Sequence, residues 1–124
     1  MGITGVHGLI YTSEPEAVRA IFRDVFGWEH VDAGDGWLIF ALPPAELGVH
    51  PTEGDGHHEL TLMCDDIAAT VAELREQGIE FSGEPEDKGF GIGATMLLPG
   101  GAELLLYEPR HPTATDDSRP WRLQ

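Results

Sequence analysis

Cysteine is almost missing from this chain: Cys64 is the only one in 124 residues. No intrachain disulfide can form, so stability must come from packing, and a reducing, cytoplasmic setting is expected. Cys64 sits inside a strand-like alternation and reads as a small buried apolar side chain. Basic residues are scarce too. Seven Lys and Arg face 22 Asp and Glu, for a formal net charge of -15. Such a chain repels nucleic acid and anionic membrane surfaces, so neither is an expected partner. Long hydrophobic runs are absent, and nothing is long enough to cross a bilayer as a helix. The opening MGITGVHGLI has neither a basic lead nor a long apolar run, so no secretory signal is expected. Val6 stands where a myristoylation pattern needs Ser or Thr. The acidity itself favours solubility, and it suits a site that attracts a cationic small molecule.

What remains is a globular composition, 41% hydrophobic, enough for one compact domain or two half-domains sharing a core. The organising stretch is HELTLMCDDIAATVAELREQGIEF, residues 58–81. Leu60, Leu62 and Cys64 alternate with Glu59, Thr61 and Met63, the period of a strand. Asp65 or Asp66 can cap the next helix by accepting its free amide hydrogens. Ile67, Val71, Leu74 and Ile79 form an apolar stripe, Glu73, Arg75 and Glu76 take the other face, and Gly78 is a stop signal. Beyond it a strand is expected near 79–83, a long polar loop over 83–93, and strands over 94–98 and 103–107.

The first half carries the same plan. Residues 5–12 read as a strand, and Ser13 or Glu14 can cap a helix that has Pro15 in its first turn. Val18, Ile21, Phe22 and Val25 share a face of that helix, and Gly27 ends it. Strands follow over 28–31, 37–42 and 47–50, the first two joined by a hairpin turn at 32–36. The repeat holds residue by residue. LPPAELGVH (42–50) lies against LPGGAELLLY (98–107), and Gly27 lies against Gly78. A half-domain this small cannot bury both faces of its sheet. The expected organisation is therefore a first module over 1–52, a second over 53–110 and an irregular tail over 111–124.

Those segments resemble a known family. HGLIYTSEPEAVRAIFRDVFGWE (7–29), LMCDDIAATVAELREQG (62–78) and LPGGAELLLYEP (98–109) are similar to the vicinal oxygen chelate superfamily, which includes glyoxalases, bleomycin-resistance proteins and extradiol dioxygenases. The resemblance implies an α+β fold, with two tandem β-α-β-β-β modules forming a curved mixed sheet around a shared cavity. It also implies a homodimer. For the reaction it implies little, because that fold hosts lyases, isomerases, dioxygenases and binders alike.

Metal ligands in the resembled family come from the first and last strands of each module. By position the first-strand slots fall on His7 and Glu59, both suited to a divalent metal such as Zn, Ni, Fe or Mn. The last-strand slots fall on Gly48 and Leu105, which offer no side-chain ligand. His50 and Tyr107 lie two residues further along the same strand faces, so His7, His50 and Glu59 make a candidate metal set. Two residues of strand is about 6.5 Å, a large displacement for bonds near 2 Å. His7, Trp37, Phe40, Glu59, Phe90, Met96 and Tyr107 are candidate ligand-binding residues of the cavity. The GFGIG segment (89–93) joins no strand to a helix, so it is read as a lip over the cavity mouth with Phe90 as a lid. His57 and His58 on the linker, with His30 and His111, read as surface residues.

Two functions follow. The first is a small-molecule binder with a degenerate metal site, whose ligand is cationic or polar and aromatic. The second is a metal-dependent lyase, isomerase or dioxygenase, with the ion polarising vicinal oxygens and Glu59 and Glu103 as candidate catalytic carboxylates.

Overall fold

The period-two alternation after His58 does build a strand. In the computed structural model, which describes residue 2 and residues 7–114, β3 spans Thr61–Met63 and runs parallel to β7, Glu103–Pro109. β7 pairs along its length with antiparallel β6, Gly91–Leu97, and β6 pairs with β4, Glu80–Phe81, and with β5, Glu86–Asp87. The strand order is β3-β7-β6-β4, so the central strands are the two longest. The connection from β3 to β7 runs through helix α2, Ile67–Glu76, which packs on one face of the sheet.

Asp66 is the residue that caps α2, accepting the Ala69 amide at 3.0 Å. Gly78 follows the helix at φ +91°, a left-handed conformation that glycine adopts without the Cβ penalty. Ile67 and Val71 are buried in the helix, Ile79 just beyond it, and Leu74 packs at the margin. Against them lie Ala94, Met96 and Leu98 from one side and Leu104 and Leu106 from the other.

The first half is a helix and a hairpin. α1, Pro15–Ala20, continues into one wider turn, Ile21–Val25, closed by the Phe26 amide on the Ile21 carbonyl at 3.0 Å. The expected apolar face is real: Val18 and Phe22 are buried, and Ile21 and Val25 pack on the same core. Phe22 gathers Phe26, Trp28 and Phe40, with ring centroids 5.4, 5.1 and 5.6 Å away. β1, His30–Asp32, and β2, Leu38–Phe40, form the hairpin expected around residues 32–36. Asp32 accepts the Gly34 amide at 2.7 Å to set the turn.

Four boundaries differ from the sequence reading. Residues 7–12 and 47–50 form no ladder; Ile10 packs on the core, but Leu9 and Tyr11 face solvent, and so do Leu47 and Val49 at 91% and 95% exposure. A strand needs an adjacent edge to hydrogen-bond, and neither segment has one among the described residues. The loop expected over 83–93 is broken up, because β5 and the first three residues of β6 fall inside it. The last strand runs on to Pro109. Trp121, a candidate for docking on the body, lies outside the described residues. Among the described residues no helix is long and apolar enough to cross a membrane.

Candidate functional site

Strand alternation divides the sheet into two faces. Leu104 and Leu106 on β7 and Ala94 and Met96 on β6 turn toward α2 and are buried. The other face then carries Leu105 and Tyr107 from β7, Gly91, Gly93 and Thr95 from β6, and Thr61 and Met63 from β3, paired in register with Leu105 and Tyr107. Thr61, Met63, Thr95 and Leu105 are half-buried on this open face.

Tyr107 lies across it because two alternate glycines on β6 let it. A Cβ on Gly91 would stand 2.8 Å from Tyr107 Cδ2, and one on Gly93 would stand 3.2 Å from Tyr107 Cβ. The ring therefore sits down on the sheet, buried, with the Phe90 ring edge-on at 5.1 Å and 88°. Its hydroxyl meets His111 Nε2 at 2.9 Å. Burial pushes the Tyr107 phenol above its ordinary pKa, and the charge of Glu46 adds to the rise.

The segment after β7 is tied down on both sides of that ring. Arg110 donates its backbone amide to the Phe90 carbonyl at 2.9 Å and its guanidinium to Asp87 at 2.9 Å. Asp87 also accepts the Gly89 amide, and these bonds hold its carboxyl below the usual range, the amide first and the Arg110 charge second. Ala114 donates its amide to Glu46 at 3.2 Å. Thus the β5–β6 turn, β7, the segment beyond it and the first half of the chain all reach the Tyr107 hydroxyl end of the face.

The other candidates lie elsewhere. His7 is exposed. Glu59 is 72% exposed and meets His57 at 3.7 Å. The His50 ring turns its Nδ1 to the Pro51 carbonyl at 2.7 Å. Glu103 is exposed at the start of β7. Trp37 lies on the hairpin beneath the Arg19 guanidinium, 5.7 Å from its ring centre. Phe40 packs edge-on against Phe22 and Met96 is fully buried among the residues under α2, so both are core side chains and not lining of the open face. The lip narrows to the turn before β6, where Phe90 remains 46% exposed.

The candidate donors are not gathered around a common point among the described residues. The last-strand slots are Gly48 and Leu105, and among the described residues no three His, Cys, Asp or Glu are grouped to hold an ion. Cys64 is half-buried at the end of β3, and burial raises its thiol above the ordinary value. Two open grooves flank α1. One of about 330 Å³ lies between Glu16, Arg19 and Arg23 and the hairpin residues Gly36 and Leu38. The second, about 450 Å³, follows residues 13–19. Both are charged surface clefts away from the sheet face.

Glu46 and His111 were not legible as site residues. The alternating glycines of GFGIG were the available signal, since small residues at two-residue spacing on a strand mark where another group comes close.

A family model described as the glyoxalase/bleomycin resistance protein/dioxygenase superfamily matches residues 5–113. The chain belongs to that superfamily. Among solved structures, TnmS3, an antibiotic binding protein from Streptomyces sp. CB03234, is similar at 26% identity and a TM-score of 0.63, over 88% of this chain and 98% of that one. A superfamily member from Sphaerobacter thermophilus DSM 20745 is similar at 22% identity and a TM-score of 0.60, over 87% and 99% of the two chains. The lactoylglutathione lyase of Agrobacterium tumefaciens is similar at 16% identity and a TM-score of 0.59, over 87% and 96%. The last two likenesses concern the fold alone. No curated protein matches the sequence.

Proposed function

We propose that this superfamily member binds a small molecule on the open sheet face without a metal ion, and that it does so as a homodimer. The observation that carries the reading is the character of the face. It combines half-buried apolar side chains, Met63 and Leu105, with a few convergent polar groups, Thr61, Thr95, Tyr107 and His111. The metal slots of the resembled pattern hold Gly48 and Leu105 instead of carboxylates, which favours a binder over a Lewis-acid enzyme. Similarity to an antibiotic-binding protein supports the same direction. The net charge of -15 favours a cationic ligand through long-range attraction.

A second copy completes the site in this reading. The large apolar residues Leu9, Tyr11, Leu47 and Val49 are exposed among the described residues. Covering them against a partner closes the face into a cavity between modules 1–52 and 53–110, in a cytoplasmic protein.

The test has two arms. Untagged protein is stripped with a chelator, reconstituted with Zn, Ni, Fe or Mn, and its metal content measured. Substoichiometric metal is expected, and one tightly held ion per chain would count decisively against the reading. In parallel, chemical shifts of Met63, Thr95, Leu105 and Tyr107 are followed against small aromatic compounds, and perturbation of that set is expected.

A further inference from the structure

The hydrogen bonds around Tyr107 fix which way its proton points. The Pro112 carbonyl can only accept, so the His111 Nδ1 that meets it at 2.9 Å carries the hydrogen. In the neutral ring Nε2 is then an acceptor, and the Tyr107 hydroxyl must donate to it across 2.9 Å. Its proton is committed, and the phenolic oxygen has only lone pairs left to offer. Glu46 comes to the same place, its carboxylate accepting the Ala114 amide three residues beyond His111, and its charge adds to the rise of the Tyr107 phenol. Among the described ion pairs Glu46 has no cationic partner; its described bond is to the Ala114 amide. Beside them stands the Phe90 ring, 46% exposed and edge-on to Tyr107. The surrounding charges are Arg110 and Asp87, which neutralise each other at 2.9 Å.

Resting on the small-molecule reading above, we propose that Tyr107, Glu46, His111 and Phe90 form a subsite that reads hydrogen-bond donors, taking a protonated amine or amidinium carried on a flat ring. Two acceptors with no proton to give select an N–H group and reject a carboxylate or carbonyl. The ring of such a ligand packs on Phe90, whose face also favours a cation. His111 acts as a positioning residue, because it holds the hydroxyl proton away from the ligand.

The experiment titrates benzamidine, benzamide and benzoate into the full chain, reading Kd and the amide shifts of Phe90, Tyr107 and His111. Benzamidine is expected to bind best, with benzoate about tenfold weaker or more, and Glu46→Gln and Tyr107→Phe each are expected to weaken benzamidine about tenfold. His111→Ala, which frees the hydroxyl proton, is expected to narrow the difference between benzamidine and benzoate, and an unchanged difference would remove the positioning role. Glu46 is exposed, so Glu46→Gln keeps the test open if Tyr107→Phe folds poorly. Equal affinity for benzamidine and benzoate, or undiminished benzamidine binding in Glu46→Gln, overturns the subsite. If benzyl alcohol still shifts Met63, Thr95 and Leu105 in that case, the small-molecule reading survives without it. Silence from every probe sinks both.

Discussion

Glu108 on β7 reaches across the sheet to accept the backbone amide of Ile67 at 3.0 Å. That amide opens α2 and has no partner inside the helix, while Asp66 serves the Ala69 amide. One helix start is thus capped twice, by its own flanking residue and by a strand 41 positions away. Glu108 is half-buried, so removing its carboxylate leaves a poorly solvated donor. Glu108→Ala is expected to cost about 1–2 kcal/mol. Urea unfolding should show a lower midpoint at an unchanged slope, and an unmoved midpoint would mean that water serves the amide equally well.

Gly100 makes a different junction. It sits at φ +78° in the short turn Pro99–Gly101, directly under the Thr12–Glu14 segment that leads into α1. A Cβ there would stand 2.9 Å from the amides of Ser13 and Glu14 and would collide with the Thr12 hydroxyl, which itself donates to the Pro99 carbonyl at 2.6 Å. Gly100→Ala is therefore both strained and overpacked, and a loss of about 2 kcal/mol or more is expected. Since the contact joins the two halves, hydrogen exchange should speed up in α1 more than in α2.

Asp87 ties the Phe90 turn to pH. Its carboxyl lies below the ordinary range because the Gly89 amide and then the Arg110 charge favour the ionised form. A depressed carboxyl contributes stability that is present above the unfolded value, about 3.9, and fades as pH falls through the folded value. The group is fully exposed, so the expected effect is small and confined to acid. Comparing Asp87→Asn with the parent chain from about pH 5 to pH 2, the stability difference should shrink toward zero at the acid end. A constant difference would assign the effect to geometry instead of charge.

Legibility followed hydrogen-bond locality. The second half of the chain was readable because its signals are local and agree: the 61–63 alternation, the Asp66 cap, the stripe at Ile67 and Val71 and the stop at Gly78 all point to one β-α unit. In the first half the helix face at Val18 and Phe22 was equally plain, and the hairpin turn likewise. The 47–50 segment carried a strand pattern like that of β7 but forms no ladder among the described residues, because pairing depends on a neighbour that no local pattern encodes. The same holds for the site. Phe90 and Tyr107 stood out by residue type and register, and their rings do meet. Met96 was misplaced because a one-residue shift along β6 moves a side chain to the opposite face. Glu46 and His111 depend on where two irregular segments cross, and no periodicity reports that.

The uncovered segment supplies the last prediction. Leu47 and Val49 are two residues apart, almost fully exposed, and lie outside every helix and strand. Two large aliphatic side chains held in water are worth about 1.5–3 kcal/mol each when covered, and a two-fold interface counts each of them twice. If a second copy covers them, light scattering should give twice the 13.5 kDa chain mass. Leu47→Asp with Val49→Asp should return the mass to a single chain at the same concentration. The monomer's own core at Met96, Leu104 and Leu106 does not involve either residue, so far-ultraviolet circular dichroism and the α2 amides should be unchanged. A parent chain that stays monomeric at tens of micromolar would remove the partner from the site. The open face would then have to hold its ligand with Met63, Leu105, Tyr107 and His111 alone.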